Sequence, residues 1–357
     1  MIAPSPGTPL VSVVMAVFNG ERYLREAIDS IVSQTFADWE FIIVDDGSSD
    51  GTAGILAGYA NRDARFKVLT QGNQGLIASL NTASAVARGR YIARFDADDI
   101  SVASRLERQV AFLNENPDVA VVGGQIEMIT ADGFVLLTTK EPLRPEDIAV
   151  ALPERNCMTH TVIMMRTGRL LELGGYRKAF VNAEDYDLWL RMLDRWPLAN
   201  LPETLGQVRR HGNQVSVLGA KNMGLSYFAA QVAYRSRAAG RPDSFDAVTI
   251  IDEAALGAAG IEPAEVRRVL YRSLTDAAWS MEYCGQFSHS ATLLREAVTL
   301  VKAAGVDRAA TSRLLWNHAR MEYRCHFPLA AIRSALRAAM LEPWLPYQAL
   351  RRRLSGG

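Results

Sequence analysis

The sequence lacks the features of secreted, membrane-spanning and disulfide-bonded proteins. Its 357 residues contain only three cysteines, in no metal-like spacing, so we expect Cys157, Cys284 and Cys325 to be reduced thiols in a cytoplasmic protein. No apolar run approaches the roughly 18–20 residues that cross a bilayer. The start, MIAPSPGTPLVSVV, has no basic region and no cleavable apolar segment, so no signal peptide is expected. Any membrane contact should therefore be peripheral.

Two common nucleotide-binding motifs are also missing. No G-x-G-x-x-G follows the first apolar run, and no G-x-x-x-x-G-K-[ST] occurs anywhere in the chain. These absences argue against a dinucleotide-dependent dehydrogenase and against a P-loop enzyme. A nucleotide would have to be held by another chemistry.

Charge is balanced over the whole chain but is unevenly distributed along it. Residues 1–220 contain 21 Lys and Arg against 27 Asp and Glu, a balance of −6. Residues 221–357 contain 18 against 12, a balance of +6. This split predicts two domains with different partners, one covering 1–220 and the other 221–357.

The first of these regions alternates between two hydrophobic patterns. The runs LVSVVMAVF, WEFIIVDD, FKVLT and RYIARFD predict strands, and ERYLREAIDSIVSQ, AGILAGYA and GLIASLNTASAVA predict the intervening helices. The alternation predicts an α/β fold, with a mostly parallel sheet and helices on both faces. From about Lys221 onward the chain is rich in Ala, Leu and Arg, with almost no strand signal, which predicts an all-α domain.

Polar segments follow three of the predicted strands: FNG after the first, DDGS after the second and DADD after the fourth. Ligands of open α/β sheets bind at the carboxyl ends of the strands, so these segments should share one edge. Asp46 can accept hydrogen bonds from a base or ribose, and Phe18 can cover a ring. A metal held by Asp96 and Asp98 can neutralise a diphosphate. The alternatives are a plain Asp-Gly turn for DDGS and a helix start for DADD.

Two further segments carry chemistry-bearing side chains. Glu184, Asp185 and Asp187 are three acids in four residues at the start of a predicted helix. They can serve as first-turn acids, or one can act as a general base that deprotonates a hydroxyl group. In RRHGNQ, Arg209 and His211 can stabilise the charge of a departing diphosphate, although a lone His is more often structural.

In this order, the motifs resemble the inverting family 2 glycosyltransferases, whose nucleotide-sugar domain has the A-type glycosyltransferase fold. The resemblance covers residues 9–215. It rests on VSVVMAVFNGERYLREAIDSIVSQTFADWEFIIVDDGSSDGT, GNQGLIASLNTASAVARGRYIARFDADD, NCMTHTVIMMR, LGGYRKAFVNAEDYDLWLRM and VRRHGNQVS. One departure is that many relatives have a hydroxyl residue and Tyr where this chain has Ala16 and Phe18.

The resemblance implies nucleotide-sugar binding within 9–130, and acceptor binding and the catalytic base within 131–220. It implies that Asp185 is the base, with Glu184 and His160 in support, and that Asp98 is the more direct ligand of Mn²⁺ or Mg²⁺. The residues expected to bind the nucleotide sugar are Ala16, Phe18, Asn19, Asp45, Asp46, Gly47, Asp96, Ala97, Arg209 and His211. Those expected to bind the metal are Asp96, Asp98 and His211.

The function that follows is metal-dependent transfer of one sugar, with inversion, from a UDP- or dTDP-sugar to a glycan or lipid-linked glycan of the cell envelope. A processive synthase would need membrane spans and a Q-x-x-R-W motif, which the sequence lacks. The rival hypotheses are a non-catalytic scaffold acting through its helical tail, and a nucleotidyltransferase. The second should carry a Gly/Arg/Lys-rich loop where this chain has AVFNGERYL. No nucleic-acid partner is expected.

The C-terminal region contains a weak repeat. MEYCGQFSHSA (281–291) and MEYRCHFPLAA (321–331) share five identities at an offset of 40, which predicts helical hairpins resembling a degenerate tetratricopeptide-type pair. The end, MLEPWLPYQALRRRLSGG, combines Trp344 and Tyr347 with Arg351, Arg352 and Arg353. Either these arginines complete a basic helix end, or the segment contacts the anionic inner face of the membrane.

Overall fold

The computed structural model describes residues 7–211, 219–283, 285–301, 307–325 and 327–341. Within these residues nine strands form one sheet. The strands are β1 (Val11–Val17), β2 (Trp39–Asp45), β3 (Phe66–Thr70), β4 (Tyr91–Arg94), β5 (Ile100–Ser101), β6 (Val121–Thr130), β7 (Val135–Thr138), β8 (Met164–Arg166) and β9 (Leu198–Arg210).

Helices follow or separate most of these strands. In the first 210 residues they are α1 (Leu24–Val32), α2 (Thr52–Ala60), α3 (Leu76–Ala85), α4 (Arg105–Glu115), α5 (Pro145–Ala151), α6 (Thr167–Glu172) and α7 (Glu184–Leu193), with a 3₁₀ turn at His160–Val162. Further on they are α8 (Ala220–Ala238), α9 (Glu253–Ala258), α10 (Pro263–Tyr283), α11 (Phe287–Leu300), α12 (Arg308–Arg324) and α13 (Pro328–Leu341).

The four strands predicted from the apolar runs form the parallel half of the sheet, in the order β3-β2-β1-β4. Every residue of β2 is buried, which accounts for its largely apolar sequence, because a parallel strand is covered on both faces. On one side, Ile28 and Ile31 of α1 join the same hydrophobic core as alternate residues of β1. The predicted α/β domain followed by a helical region is confirmed.

Beyond β4 the sheet is mixed rather than parallel. β8 is antiparallel to both β4 and β6, β9 is parallel to β6, and the short β5 is antiparallel to β9. The pairing of Ile100 with Gln207 brings the end of β9 back beside the segment that follows β4. Arg209 and Asp98, far apart in sequence, therefore meet.

The chain divides into two compact units, the first comprising 1–210 and 230–244 and the second 211–229 and 245–357. The change from one unit to the other falls within α8, and the division into domains 1–220 and 221–357 stays a prediction. In the first unit, Arg237 pairs with both Asp194 and Asp243. The pair with Asp194 attaches the end of α8 to the residue that follows α7, and the pair with Asp243 joins it to the segment that follows α8.

In the second unit, the predicted repeat corresponds to two helical hairpins, α10 with α11 and α12 with α13. Met281 and Met321 are both buried near the ends of the first helices, and Ala291 and Ala331 are both buried in the second helices. The offset of 40 thus relates equivalent core positions. Trp344, Tyr347 and the arginines at 351–353 lie outside the described residues, as does Cys284. No helix among the described residues is long and apolar enough to cross a bilayer.

Candidate active site

The DADD segment is a loop between two strands and does not begin a helix. It lies between β4 and β5, whereas α4 begins at Arg105, after Ser104. The helix-start interpretation is therefore wrong. One carboxylate oxygen from each of Asp96, Asp98 and Asp99 lies within 4.8 Å of the other two. Loop geometry, and not helix capping, accounts for this acidic cluster.

The electrostatics of the cluster suit a divalent cation. Burial raises the pKa of Asp96, although its ion pair with Arg94 opposes the shift, and the charge of Asp98 raises it further. Burial and then Asp98 and Asp96 raise the pKa of Asp99 well above its usual value. Carboxylates this close repel one another, and hard cations such as Mg²⁺ and Mn²⁺ prefer oxygen ligands. The three aspartates therefore fit the metal that the resemblance implies.

The metal-like group in the described part of the chain contains Asp99 and does not include His211. Sequence reasoning placed Asp96, Asp98 and His211 at the metal. Asp99 is the most enclosed of the three aspartates, and its Oδ1 accepts the backbone N–H of Arg209 at 2.9 Å. The assignment of His211 to the metal or diphosphate stays a prediction.

The Arg209 side chain forms hydrogen bonds that stabilise the acidic loop. Its Nε donates to the carbonyl oxygen of Asp98 at 3.0 Å and its Nη1 to that of Ala131 at 3.1 Å. Its Nη2 donates to Glu26 at 2.7 Å, and the guanidinium lies over the Tyr23 ring. These contacts support the loop directly, and a contact of Arg209 with the nucleotide sugar stays a prediction.

Asp46 organises the neighbouring loop at the same edge of the sheet. Its carboxylate accepts hydrogen bonds from Gln71 Nε2 at 2.8 Å, from Gln74 N at 2.9 Å and from Gly75 N at 2.8 Å. Burial opposes ionisation, but these hydrogen bonds lower the pKa of Asp46 overall. Its carboxylate is thus ionised and fixed in direction, as recognition of a base requires.

The loops after β1 and β2 are tied together. The Asn19 side chain accepts the backbone N–H of Ser49 at 2.8 Å, and the backbone N–H of Asn19 donates to Ser48 Oγ at 2.9 Å. The backbone of Asn19 adopts the left-handed conformation, with φ of 51°. Such strained conformations are concentrated at functional sites. The Phe18 ring beside it is 52% exposed, so it is accessible to a ligand.

DDGS is also a turn, as the alternative interpretation holds. Asp45 Oδ1 accepts the backbone N–H of Ser48 at 3.0 Å, and Gly47 has φ of 81°. Ala16, within β1, and Ala97, in the acidic loop, are both partly buried. The turn and the predicted binding role do not exclude each other, and the contacts of these residues with a nucleotide sugar stay predictions.

The three acids at the start of α7 have different environments. Asp187 is 1% exposed and is paired with both Arg177 and Arg191, so it is a structural ion-pair residue. Asp185 is only partly buried, accepting Asn156 Nδ2 at 3.0 Å and the Tyr186 N–H at 2.7 Å. Asp185 therefore remains the candidate base.

Glu184 and Asp185 also differ in their protonation state near neutral pH. Burial raises the pKa of Asp185 to about 6, against the hydrogen bonds from Tyr186 and Asn156. Burial, and then the charge of Asp185, raises the pKa of Glu184 to about 8. Near neutral pH the pair therefore holds one proton, on Glu184, beside an ionised Asp185. Environments that give two neighbouring carboxyl groups different pKa values are typical of acid–base sites.

His160 lies beside this pair. Its Nε2 is 2.9 Å from the Tyr176 hydroxyl, its Nδ1 is 4.0 Å from Glu184 Oε1, and its ring meets the Trp189 indole edge-on. Burial, with the charge of Arg94, lowers the pKa of His160 well below its usual value. The imidazole is therefore neutral, and its role in support of the base stays a prediction.

Arg94 connects the acidic loop to the pair on α7. It is buried and paired with Asp96, and its charge lowers the pKa of both Glu184 and Asp185. The charge of the Arg94 guanidinium thus acts on the pKa values of both a candidate metal ligand, Asp96, and the candidate base, Asp185. The acids predicted after β4 and at the start of α7 belong to one electrostatic site.

Comparison with known proteins identifies the family. The model of the family described as glycosyl transferase family 2 matches residues 12–170. The putative glycosyltransferase EpsE of Bacillus subtilis is 41% identical over 212 residues, which cover 56% of this chain and 73% of EpsE. The chain belongs to glycosyl transferase family 2.

Two other relatives carry more specific descriptions. The UDP-Glc:alpha-D-GlcNAc-diphosphoundecaprenol beta-1,3-glucosyltransferase WfgD of Escherichia coli is 34% identical, over 52% of this chain and 70% of WfgD. The mannosyltransferase PcManGT of Pyrobaculum calidifontis, solved with GDP-Man and Mn²⁺, has a TM-score of 0.51 and 19% identity. That match covers 96% of this chain and 90% of PcManGT and concerns the fold.

Sequence reasoning missed three residues of this family 2 glycosyltransferase site: Arg94, Asn156 and Tyr176. All three had a visible signal, because Arg94 stands two residues before Asp96, Asn156 begins the NCMTHTVIMMR motif and Tyr176 lies in LGGYRKAFVNAEDYDLWLRM. The contact of Tyr176 with His160, 16 residues away, was not visible. Sequence reasoning also treated Asp187 as an alternative base, which its two arginine partners argue against.

Proposed function

We propose that this nucleotide-sugar transferase moves one sugar, with inversion, from a UDP- or dTDP-sugar to a hydroxyl of a glycan or lipid-linked glycan. The observation that carries the proposal is that the charge of the buried Arg94, which pairs with Asp96 of the three-aspartate loop, also acts on the Glu184–Asp185 pair. One half of this arrangement suits a diphosphate leaving group with its metal, and the other suits an attacking hydroxyl. The proposal includes a cytoplasmic location and peripheral contact with an anionic membrane.

The donor is proposed to lie along the strand-end edge. Asp46 directs an ionised carboxylate toward the base, and the exposed Phe18 ring covers it. Asp98, with Asp96 and Asp99, would hold Mn²⁺ or Mg²⁺, which neutralises charge on the diphosphate when bound. The description of PcManGT in complex with GDP-Man and Mn²⁺ supports a metal here, and the UDP-Glc in the name of WfgD supports a uridine donor.

The acceptor hydroxyl is proposed to lie against Asp185. The hydroxyl oxygen forms a bond to the anomeric carbon, the bond from that carbon to the diphosphate oxygen breaks, and the proton passes to Asp185. Attack opposite the leaving group inverts the configuration. Asn156 fixes the direction of the Asp185 carboxylate, and protonated Glu184 can donate a hydrogen bond to a sugar hydroxyl. The diphosphoundecaprenol in the name of WfgD supports a lipid-linked acceptor.

The test is calorimetry of UDP, dTDP and GDP binding, with and without Mn²⁺, for the unaltered enzyme and for Asp98→Ala. We expect Mn²⁺ to raise the affinity of the preferred nucleotide in the unaltered enzyme and to have no such effect in Asp98→Ala. Asp118→Ala is the matched control, because Asp118 is exposed and precedes β6, at the opposite edge of the sheet. A metal-assisted gain that survives in Asp98→Ala would refute the metal assignment. Failure of all three nucleotides to bind would refute the donor class.

A further inference from the structure

The outer face of α13 exposes a continuous apolar stripe. Ile332, Leu336 and Met340 are 56%, 60% and 68% exposed. They recur every four residues, which places them on one side of a helix. The opposite side packs into the second unit through Ala331, Ser334 and Ala338, all buried. A helix at the surface of a soluble protein normally has one apolar face, and α13 has two.

Two arginines border this stripe. Arg333 and Arg337 are exposed and each directly follows a stripe residue, Ile332 or Leu336. At 100° per residue they lie along one flank of the stripe. Helix α13 contains no Asp or Glu, and residues 328–357 contain five Arg, one Glu and no Asp or Lys. The stripe is therefore apolar with a basic border, which is the pattern of helices that lie in a membrane interface.

We propose that this stripe, Ile332, Leu336 and Met340 with Arg333 and Arg337, docks the enzyme onto an anionic lipid surface. The apolar side chains enter the boundary between headgroups and acyl chains, and the arginines meet lipid phosphates. The observation is independent of the active site, and it extends the membrane contact expected from residues 344–353 to a helix of the second unit.

Charge decides against a second copy of the chain as the occupant. In an antiparallel symmetric dimer through this stripe, Arg333 and Arg337 of one copy would approach the same arginines of the other. Like charges facing one another across an interface weaken it. A surface of anionic headgroups instead offers opposite charge to both arginines.

The test is co-sedimentation of the full-length protein with phosphatidylcholine vesicles, with and without phosphatidylglycerol. We expect binding to the anionic vesicles at low salt, loss of that binding at high salt, and little binding to neutral vesicles. Arg333→Gln with Arg337→Gln should weaken binding about 30-fold, because each arginine near such a surface contributes about 1 kcal/mol. Ile332→Ser, Leu336→Ser and Met340→Ser together should weaken it by about 10-fold or more.

The control is Ile250→Ser, because Ile250 is 70% exposed in the same unit but lies outside the stripe. It should bind as the unaltered protein does. Equal binding to neutral and anionic vesicles, or unchanged binding by the triple serine variant, would overturn the proposal. Two other results would also overturn it: loss of self-association in that variant by light scattering, which would identify a protein interface, or a marked fall in its Tm, which would mean that other residues of the chain cover the stripe.

Discussion

Two buried glutamates show how the two units of this glycosyltransferase differ. Glu322, in the second unit, is 4% exposed, and Ser334 Oγ donates to its Oε2 at 2.9 Å, while His318 Nε2 lies 3.4 Å from its Oε1. Glu184, in the first unit, is 5% exposed, and its Oε2 has no hydrogen-bond partner among the described residues. Buried polar atoms are normally paired, so an unpaired one beside a second acid indicates a site for chemistry.

Backbone conformation shows the same contrast. In the first unit, two asparagines adopt positive φ, Asn19 at 51° after β1 and Asn182 at 63° just before the acids of α7. In the described part of the second unit, positive φ occurs only at Gly260 and Gly285, which adopt it without steric cost. The first unit thus holds strain beside its candidate site, whereas the second ends its helices in the ordinary way.

The largest expected effect is on turnover, from Asp185→Asn. The amide cannot accept the proton of the attacking hydroxyl, so the rate should fall roughly 10²–10⁴-fold while the donor still binds. Burial disfavours the ionised carboxylate, so the neutral amide should not lower the Tm. Initial rates at saturating substrates, with Asp63→Asn as a control at the amino end of β3, provide the measurement. A near-normal rate would mean that another residue is the base. The contrast between a first unit with a catalytic acid pair and a second unit without one would then not hold.

Asp187→Asn, two residues further along α7, should act on stability. Removing the carboxylate breaks the ion pairs of Arg177 and Arg191 with Asp187, although Arg177 keeps its ion pair with Asp243, and breaking a buried ion pair costs about 3–5 kcal/mol. Urea unfolding monitored by circular dichroism gives the free energy of unfolding. Should the variant unfold like the unaltered enzyme but turn over slowly, Asp187 would belong with the catalytic acids.

Glu322→Gln tests the buried cluster of Glu322, Ser334 and His318 in the second unit. The amide keeps the shape but weakens the hydrogen bond from Ser334 Oγ and removes the carboxylate charge 3.4 Å from His318 Nε2, at a cost of about 1–3 kcal/mol. Turnover of a soluble acceptor should not change, because no atom of this cluster belongs to the candidate site. Thermal unfolding and rate assays on one preparation would show this. A lowered rate with unchanged stability would contradict the structural role of Glu322.

The smallest effect is expected from pH. Because Asp185 acts as the base only when ionised and its pKa is about 6, kcat/KM should fall about tenfold for each pH unit below 6. Glu184→Gln should retain this acid limb, because Glu184, with a pKa of about 8, is already protonated there. Calorimetric donor affinities over the same range separate proton transfer from binding. A flat profile down to pH 5 would rule out Asp185 as the titrating base.

Much of the first unit could be predicted from its sequence. The apolar runs of β1 to β4 and the helices between them follow from local hydrophobic pattern, because each residue's face is set by its position in the strand or helix. The acids that end β2 and β4 come to one edge for the same reason, since parallel strands finish on the same side. The 40-residue offset likewise predicted the hairpins of the second unit.

What the sequence by itself determined is therefore the order of elements, the edge that holds the polar segments and the identity of the acids. Only the tertiary structure decided which groups surround each acid. Asp187 meets Arg177, ten residues away, and Asp99 meets Arg209, 110 residues away. Within the described part of the chain, no hydrogen-bond partner meets Glu184 Oε2. The charge and role of a carboxylate depend on its burial and on the groups that face it in space. Those groups come from distant parts of the chain, which local sequence patterns do not bring together.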